Sequence, residues 1–142
     1  MKQILLIILG LSAFINAEFT TVGQPSGVVK DTSTLLLWQD DYSANNGNIK
    51  LATWTAAIDY CEALGLAGLD WRLPNKKELL SLVDYAQHSP SIDSVFNHTI
   101  SSSYWLSTTH AYNLSSAWMV DFYDGNTYSG HKSNIHYVRC VR

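Results

Sequence analysis

Two segments of the chain carry apolar residues at the three- and four-residue spacing of an amphipathic helix. In the first, Thr53 is a suitable N-cap, and Gly65 is placed to end the helix in a left-handed conformation. Its apolar stripe consists of Trp54, Ala57, Ile58, Cys61 and Leu64. The second segment begins after Asn75 and fades near Ala86. Its stripe consists of Leu79, Leu82, Val83 and Ala86. The pattern therefore predicts two helices.

An extended corner leads into the second predicted helix. Pro74 restricts its own φ angle and keeps the preceding residue out of the helical region. Asn75 is a favourable N-cap, and Glu78 lies three residues later, where it completes a capping box. Trp71 is large enough to anchor a small core, and the guanidinium of Arg72 suits binding several acceptors at once. We interpret these five residues as a structural corner with buried partners around Arg72. A ligand contact through Arg72 is the alternative.

Strand patterns occupy the regions before and after the helices. Residues 27–30 and 35–39 predict a hairpin, because the polar residues between them favour a turn. Asp124 and Gly125 form a pair favoured in tight hairpin turns. Four more short strands are predicted at residues 103–108, 117–122, 126–129 and 136–141. Alternation places one face of the second of these in the core, namely Trp118, Val120 and Phe122.

The N-terminus has the pattern of a secretory signal peptide. Lys2 gives a short positive start, an apolar run covers residues 4–11, and Ala17 is a small residue before the expected cleavage point. The run is too short to span a membrane, and no later stretch is long enough to do so. We expect a periplasmic, secreted or cell-surface protein. Its organisation would be a signal peptide at 1–17, an N-terminal arm at 18–26 and a single domain at 27–142.

Cys61 and Cys140 are the two cysteines of the chain, and an even pair in an exported protein normally oxidises. Cys61 lies on the apolar stripe of the first predicted helix, and Cys140 shares a strand face with Val138. Both faces should point inward, so we predict a disulfide between them. A metal site with a distant histidine is a weaker alternative. A catalytic thiol is also disfavoured, because it needs an exposed, electropositive setting.

Composition narrows the class of ligand. The formal net charge of −3 argues against general binding of nucleic acid. Five tryptophans and eight tyrosines are a high aromatic content for 142 residues. Between residues 109 and 136, rings, amides and hydroxyls suit recognition of a sugar or peptide. The residues expected to contact such a ligand are Tyr112, Tyr123, Asn126, Tyr128 and His131. An ordinary polar rim is the alternative interpretation.

Sequence signals for catalysis are weak. Five histidines lack the close spacing of a zinc site, and the chain has no phosphate loop or dinucleotide fingerprint. Asp40, Asp41, Asp124 and Asn126 supply oxygen ligands, but neither run matches a complete calcium loop. We therefore expect a protein that is not an enzyme, with no cofactor or metal. Calcium is the weaker alternative.

Several of these motifs together resemble one bacterial family. The corner reads Asp-Trp-Arg-Leu-Pro-Asn at residues 70–75, with Glu-Leu at 78–79, and the chain ends Tyr-Val-Arg-Cys-Val-Arg at 137–142. Further matching pairs are Trp38 with Gln39, Tyr60 with Cys61, Tyr104 with Trp105 and Ala117 with Trp118. Over residues 27–142 the sequence resembles the family named for the C-terminal domain of a collagen-like adhesin, long described as a domain of unknown function.

The resemblance implies an α+β domain in which two helices pack on a twisted antiparallel sheet. The implied fold is C-type-lectin-like, in the variant shared with formylglycine-generating sulfatase modifiers. Such an enzyme is a remote alternative, because its working cysteines lie close together in sequence. In the adhesin the domain is linked to sulfated polysaccharide, but the acidic composition here disfavours that ligand.

The sequence and the resemblance together lead to one expectation about function. We expect an exported ligand-binding or adhesion-type module of a bacterial envelope, whose ligand is a glycan or a surface protein. A structural or assembly partner in the envelope is the alternative. The oligomeric state is left open.

Overall fold

The structure, a computed structural model, describes residues 18–142, and the predicted signal peptide lies outside them. The described chain has the α+β class expected from the resemblance, with two helices and two sheets. Two short 3₁₀ helices, Ser43–Asn45 and Leu66–Gly68, lie in the connections. The main elements are β1 (Phe19–Thr20), β2 (Val28–Asp31), β3 (Leu37–Gln39), β4 (Leu51–Ala52), α1 (Trp54–Glu62), α2 (Lys76–Leu80), β5 (Ser103–His110), β6 (Asn113–Asp121), β7 (Thr127–His131) and β8 (His136–Tyr137).

The first sheet has the order β1-β2-β3 and the second the order β4-β8-β5-β6-β7. Neighbouring strands are antiparallel except β5 and β8, which pair in parallel. The segment at the end of the chain joins the two sheets. Leu37 and Arg142 exchange backbone hydrogen bonds of 2.8 and 2.9 Å, and Arg72 and Val141 exchange two of 2.9 Å. Residues 18–26, expected as an arm, contribute β1 as an edge strand.

The central part of the five-stranded sheet, in β5 and β6, is buried on both faces, with one helix on each side. The α1 side holds Trp105 and Met119, while the α2 side holds Tyr104 and Val120. Neighbouring residues of one strand therefore enter opposite cores. Phe122 is buried as predicted, but Trp118 is only half-buried, because it lies at the margin of the α2-side core.

Helix α1 follows its predicted stripe but ends differently. Ala57, Cys61 and Leu64 are buried beneath it. The predicted left-handed cap at Gly65 is wrong, because Gly65 has a φ angle of −89°. The chain reverses two residues later, at Ala67 and Gly68, whose φ angles are 57° and 67°.

Helix α2 confirms the predicted capping box and corrects the predicted length. Asn75 Oδ1 accepts the backbone N–H of Glu78 at 2.9 Å, and Glu78 Oε2 accepts the backbone N–H of Asn75 at 2.8 Å. The helix ends at Leu80, six residues before the expected end. Beyond it the backbone turns so that Val83 pairs with Ile92. Leu82 still reaches the core, whereas Ala86 is exposed.

Cys61 and Cys140 form the predicted disulfide and are both fully buried. The bond links α1 to the segment that follows β8 and so closes one side of the α1-side core. Neither helix of the described region has the length and apolar character needed to cross a bilayer.

Candidate functional site

The corner before α2 is held from both sides by backbone hydrogen bonds. The indole N–H of Trp71, a buried residue, donates to the carbonyl of Leu66 at 3.0 Å. The carbonyl of Pro74 accepts the N–H of Ser107 in β5 at 2.8 Å. The first contact fixes the indole on the 3₁₀ helix before the corner, and the second ties the corner to the five-stranded sheet.

Arg72 does not have the buried partners that the sequence led us to expect. Its side chain is 50% exposed and forms a bidentate salt bridge with Glu78, with N–O distances of 2.8 and 2.7 Å. The hydrogen bonds from Arg72, helped by the backbone N–H of Asn75, lower the pKa of Glu78. Arg72 therefore acts on the capping box from the surface.

The five predicted ligand residues are all exposed, but the structure divides them into two groups. Tyr123, Asn126 and Tyr128 surround the turn between β6 and β7. Tyr112 and His131 lie near the opposite ends of these strands. The nine residues of β6 place Tyr112 roughly 25–30 Å from the turn at the usual rise per residue. His131 lies three residues from Tyr128 on β7 but on the opposite face of the sheet. A single small ligand therefore cannot contact all five.

Around the β6–β7 turn, one carboxylate organises the neighbouring polar groups. Asp124 accepts hydrogen bonds from the backbone N–H of Asn126 at 2.9 Å, from the Asn126 amide at 2.8 Å and from the Tyr128 hydroxyl at 2.8 Å. The bonds from Asn126, followed by the one from Tyr128, lower the pKa of Asp124. The bond to Asp124 also raises the pKa of Tyr128.

Two aromatic residues that the sequence analysis missed complete this surface. The His88 ring meets the Tyr123 ring edge-on at 4.8 Å between centroids. Tyr85 packs on Gly125, where an added Cβ would lie 3.0 Å from the ring. Both come from the loop after α2, which has no sequence signal connecting it to the turn. We call the six residues Tyr85, His88, Tyr123, Asp124, Asn126 and Tyr128 the tyrosine turn.

The exposed fractions of the three tyrosines are high for such large rings. They are 75% for Tyr85, 54% for Tyr123 and 46% for Tyr128. Their faces and edges are therefore open to a ligand, while the hydroxyl of Tyr128 is held in place by Asp124. The arrangement can offer stacking surfaces beside ordered hydrogen-bonding groups.

The other group of predicted residues has different surroundings. His131 Nδ1 lies 2.7 Å from the hydroxyl of Ser133. On β7, His131 and Tyr128 project from opposite faces, because they pair with Ser116 and Met119 respectively. Tyr112 is 97% exposed at the β5–β6 hairpin and lies outside any cluster of tyrosines.

A second candidate site, which sequence reasoning missed, lies at residues 97–100. We call these four residues the Asn97 shelf. Asp40, only 5% exposed, accepts the backbone N–H groups of Asn97 at 2.9 Å and His98 at 3.1 Å. Arg139, fully buried, donates to the carbonyl of His98 and, at 2.8 Å, to the hydroxyl of Thr99. Two buried charged residues thus hold one exposed segment.

Clefts open on both sides of the shelf and share Asn97 and His98. The smaller, of about 190 Å³, extends towards Gly27 and Asp41. The larger, of about 540 Å³, lies between the shelf and residues 47–51, with Tyr137 at its wall. Asp40, Arg139 and the shelf are far apart in sequence, so no local motif could have indicated them.

The aspartates considered as calcium ligands are engaged in other contacts. Asp40 binds the shelf, and Arg139 Nη1 lies 3.6 Å from its carboxylate. Asp124 binds Asn126 and Tyr128. Among residues 18–142, no group of three or more His, Cys, Asp or Glu side chains is arranged to hold a metal ion.

Comparison with known proteins gives one family. The family model described as the Lcl C-terminal domain matches residues 27–142, which include both cysteines, the corner, the tyrosine turn and the shelf. No curated protein matches the chain.

Proposed function

Because the chain belongs to the Lcl C-terminal domain family, we propose that it is an exported adhesion-type module that binds a glycan at the tyrosine turn. The family suggests an adhesin-like extracellular module, and the disulfide is consistent with an oxidising compartment. The proposed role is binding without catalysis.

The observation that carries the proposal is the grouping of exposed rings around an ordered carboxylate. Sugars combine apolar ring faces with hydroxyl groups, so they suit a surface that offers both stacking and hydrogen bonds. Tyr123 and Tyr128 supply exposed rings. Asp124 is an acceptor already held in position by Asn126 and Tyr128.

The charge of this surface favours an uncharged glycan over a sulfated one. Asp124 lies at its centre, and Asp121 accepts the backbone N–H of Tyr123 at 2.8 Å. Two carboxylates beside the rings would repel a sulfate group. Recognition by stacking and neutral hydrogen bonds also predicts an affinity that depends little on salt.

A glycan array probed with residues 18–142, with and without calcium, tests the proposal. For a glycan that binds, Tyr123→Ala and Tyr128→Ala should each weaken the affinity about tenfold, equivalent to about 1.4 kcal/mol. Their melting temperatures should stay close to that of the wild type. Tyr112→Ala is the matched control, because Tyr112 is an exposed tyrosine at the other end of β6.

Three outcomes would count against the proposal. If no glycan binds, the alternative of a structural or assembly partner is favoured. If Tyr123→Ala and Tyr128→Ala lose stability as much as affinity, these residues are scaffold. If affinity falls steeply with salt, the ligand is a polyanion bound elsewhere.

A further inference from the structure

The Asn97 shelf is fixed more firmly than an ordinary surface loop. Besides the contacts of Asp40 and Arg139, the backbone N–H of Ile100 donates to the hydroxyl of Tyr104 at 2.9 Å. Tyr104 is fully buried, and burial raises its pKa, so its hydroxyl stays neutral. Three buried polar side chains therefore hold four consecutive residues.

Burying these groups carries a cost that local loop structure does not require. Removing a carboxylate and a guanidinium from water costs several kcal/mol per ion before their contacts offset it. Here the contacts go to the backbone of the shelf and to the Thr99 hydroxyl. The side chains of Asn97 and His98 stay exposed and face the clefts. Such rigid support of exposed polar groups is typical of a binding site.

The larger cleft is lined by both aliphatic and polar residues. Ile49, Leu51 and Ile100 supply aliphatic surface, and Leu51 and Ile100 are 47% and 42% exposed. Asn48 and Asn97 supply amide groups. The lining contains no Asp, Glu, Lys or Arg. The cleft therefore suits an uncharged ligand that presents an apolar group next to hydrogen-bonding groups.

We infer that the larger cleft beside the Asn97 shelf binds an N-acetylated sugar. Its volume of about 540 Å³ lies within the range of small-molecule sites, roughly 300–1,000 Å³. The methyl of an acetamido group would contact the aliphatic residues of the cleft. Its N–H and C=O would form hydrogen bonds with the side-chain amides of Asn97 and Asn48. The ring hydroxyls would lie towards the open mouth.

Two other uncharged ligands fit less well. A sugar without the acetamido group offers only hydroxyls and leaves the aliphatic residues without a partner. An extended peptide would need a strand edge to pair with, and β4, the nearest edge, is two residues long. The inference is independent of the glycan proposed at the tyrosine turn, because the two sites share no residue.

The test is nuclear magnetic resonance titration of residues 18–142 with N-acetylglucosamine, glucose and N-acetylalanine methylamide. We expect N-acetylglucosamine to shift the amide signals of residues 97–100 and Tyr137, with a Kd of about 1 mM. Glucose and the peptide analogue should bind about tenfold more weakly. Asn97→Ala should weaken binding about tenfold, while Asn113→Ala, which removes an exposed amide from the β5–β6 hairpin outside both sites, should leave it unchanged.

Every other result would overturn the inference. Equal binding of glucose would show that the acetamido group is not recognised, and equal binding of the peptide analogue would indicate a peptide site. Shifts confined to the tyrosine turn would assign the sugar to that surface alone. No shifts at about 50 mM sugar would mean that the cleft is not a site for it.

Discussion

Two arginine–carboxylate pairs of the domain, Arg72 with Glu78 and Arg139 with Asp40, differ in distance, in separation along the chain and in burial. Arg72 and Glu78 are six residues apart, meet at 2.7 Å and have side chains that are 50% and 16% exposed. Arg139 and Asp40 are distant in sequence, lie 3.6 Å apart and are almost completely buried. The Arg72–Glu78 pair has the shorter distance, but it is also the pair that solvent screens more.

The difference shows that the distance between two charges is a poor guide to their importance. An exposed pair contributes little, because solvent competes for both ions. A buried pair makes the neighbouring backbone depend on it, because no water can replace a lost partner. The Arg139–Asp40 pair supports the Asn97 shelf, whereas Arg72–Glu78 reinforces a helix cap that has other hydrogen bonds.

The largest effect is expected for Arg139→Ala. It leaves the Asp40 carboxylate buried without its cation and orphans the acceptors of the shelf, which should cost about 4–5 kcal/mol of unfolding free energy. Urea denaturation measures this loss. Adding Asp40→Asn to Arg139→Ala should recover part of it, because the buried charge is then gone. If Arg139→Ala loses as little stability as Arg72→Ala, the two pairs do not differ in importance as we propose.

The next effect concerns the packing of the corner itself. Trp71→Ala should cost about 3–4 kcal/mol, because a buried indole leaves a cavity. Trp71→Phe keeps most of the volume and serves as the control. If Trp71→Ala melts within a degree or two of the wild type, the corner is not core, and a ligand role for Arg72 gains support.

The disulfide should contribute less than either. Replacing both Cys61 and Cys140 by serine should cost about 2–4 kcal/mol, the typical contribution of a disulfide. Thermal unfolding of the double variant and of the oxidised wild type measures this loss, and the reduced wild type serves as the control. Peptide mass spectrometry of the unreduced protein should detect the bond, and two free thiols would contradict it.

The smallest effect belongs to the exposed pair. Arg72→Ala should cost about 0.5–1 kcal/mol at neutral pH. Because folding lowers the pKa of Glu78, its contribution is fully present above the ordinary value of 4.5 and is lost as the pH falls through the lowered pKa. Glu78→Gln should remove this part of the acid sensitivity. An unchanged pH profile of stability in Glu78→Gln would show that the pair contributes nothing.

The sequence predicted those features that depend on neighbours in the chain. The capping box of Asn75 and Glu78 needs two residues only three positions apart, so the sequence indicates it directly. The disulfide could also be predicted, because helical and strand periods independently place Cys61 and Cys140 on inward faces. The end of α2 could not be predicted, because the long-range pairing of Val83 with Ile92 overrides the helical pattern of the apolar stripe.

The candidate sites were harder to predict, for two physical reasons. Strand alternation assumes that one face of a strand is exposed to solvent. Residues 138–141 are all buried, so the position of Arg139 opposite Cys140 did not reveal its burial. The sites also assemble from loops whose contacts are long-range. Tyr123 and Tyr128 were identified from composition, whereas Tyr85, His88, Asp40 and His98 meet their partners only after folding.

Residues 138–142 make long-range contacts that complete the domain. The Tyr42 hydroxyl donates to the carbonyl of Val138, and the backbone N–H of Cys140 donates to the side chain of Gln39, across 96 and 101 positions of the chain. A fragment that stops before Val138 keeps the local cap of α2 but loses these contacts between the two sheets. Assembly therefore requires residues 138–142, and long-range contacts of this kind make folding slow.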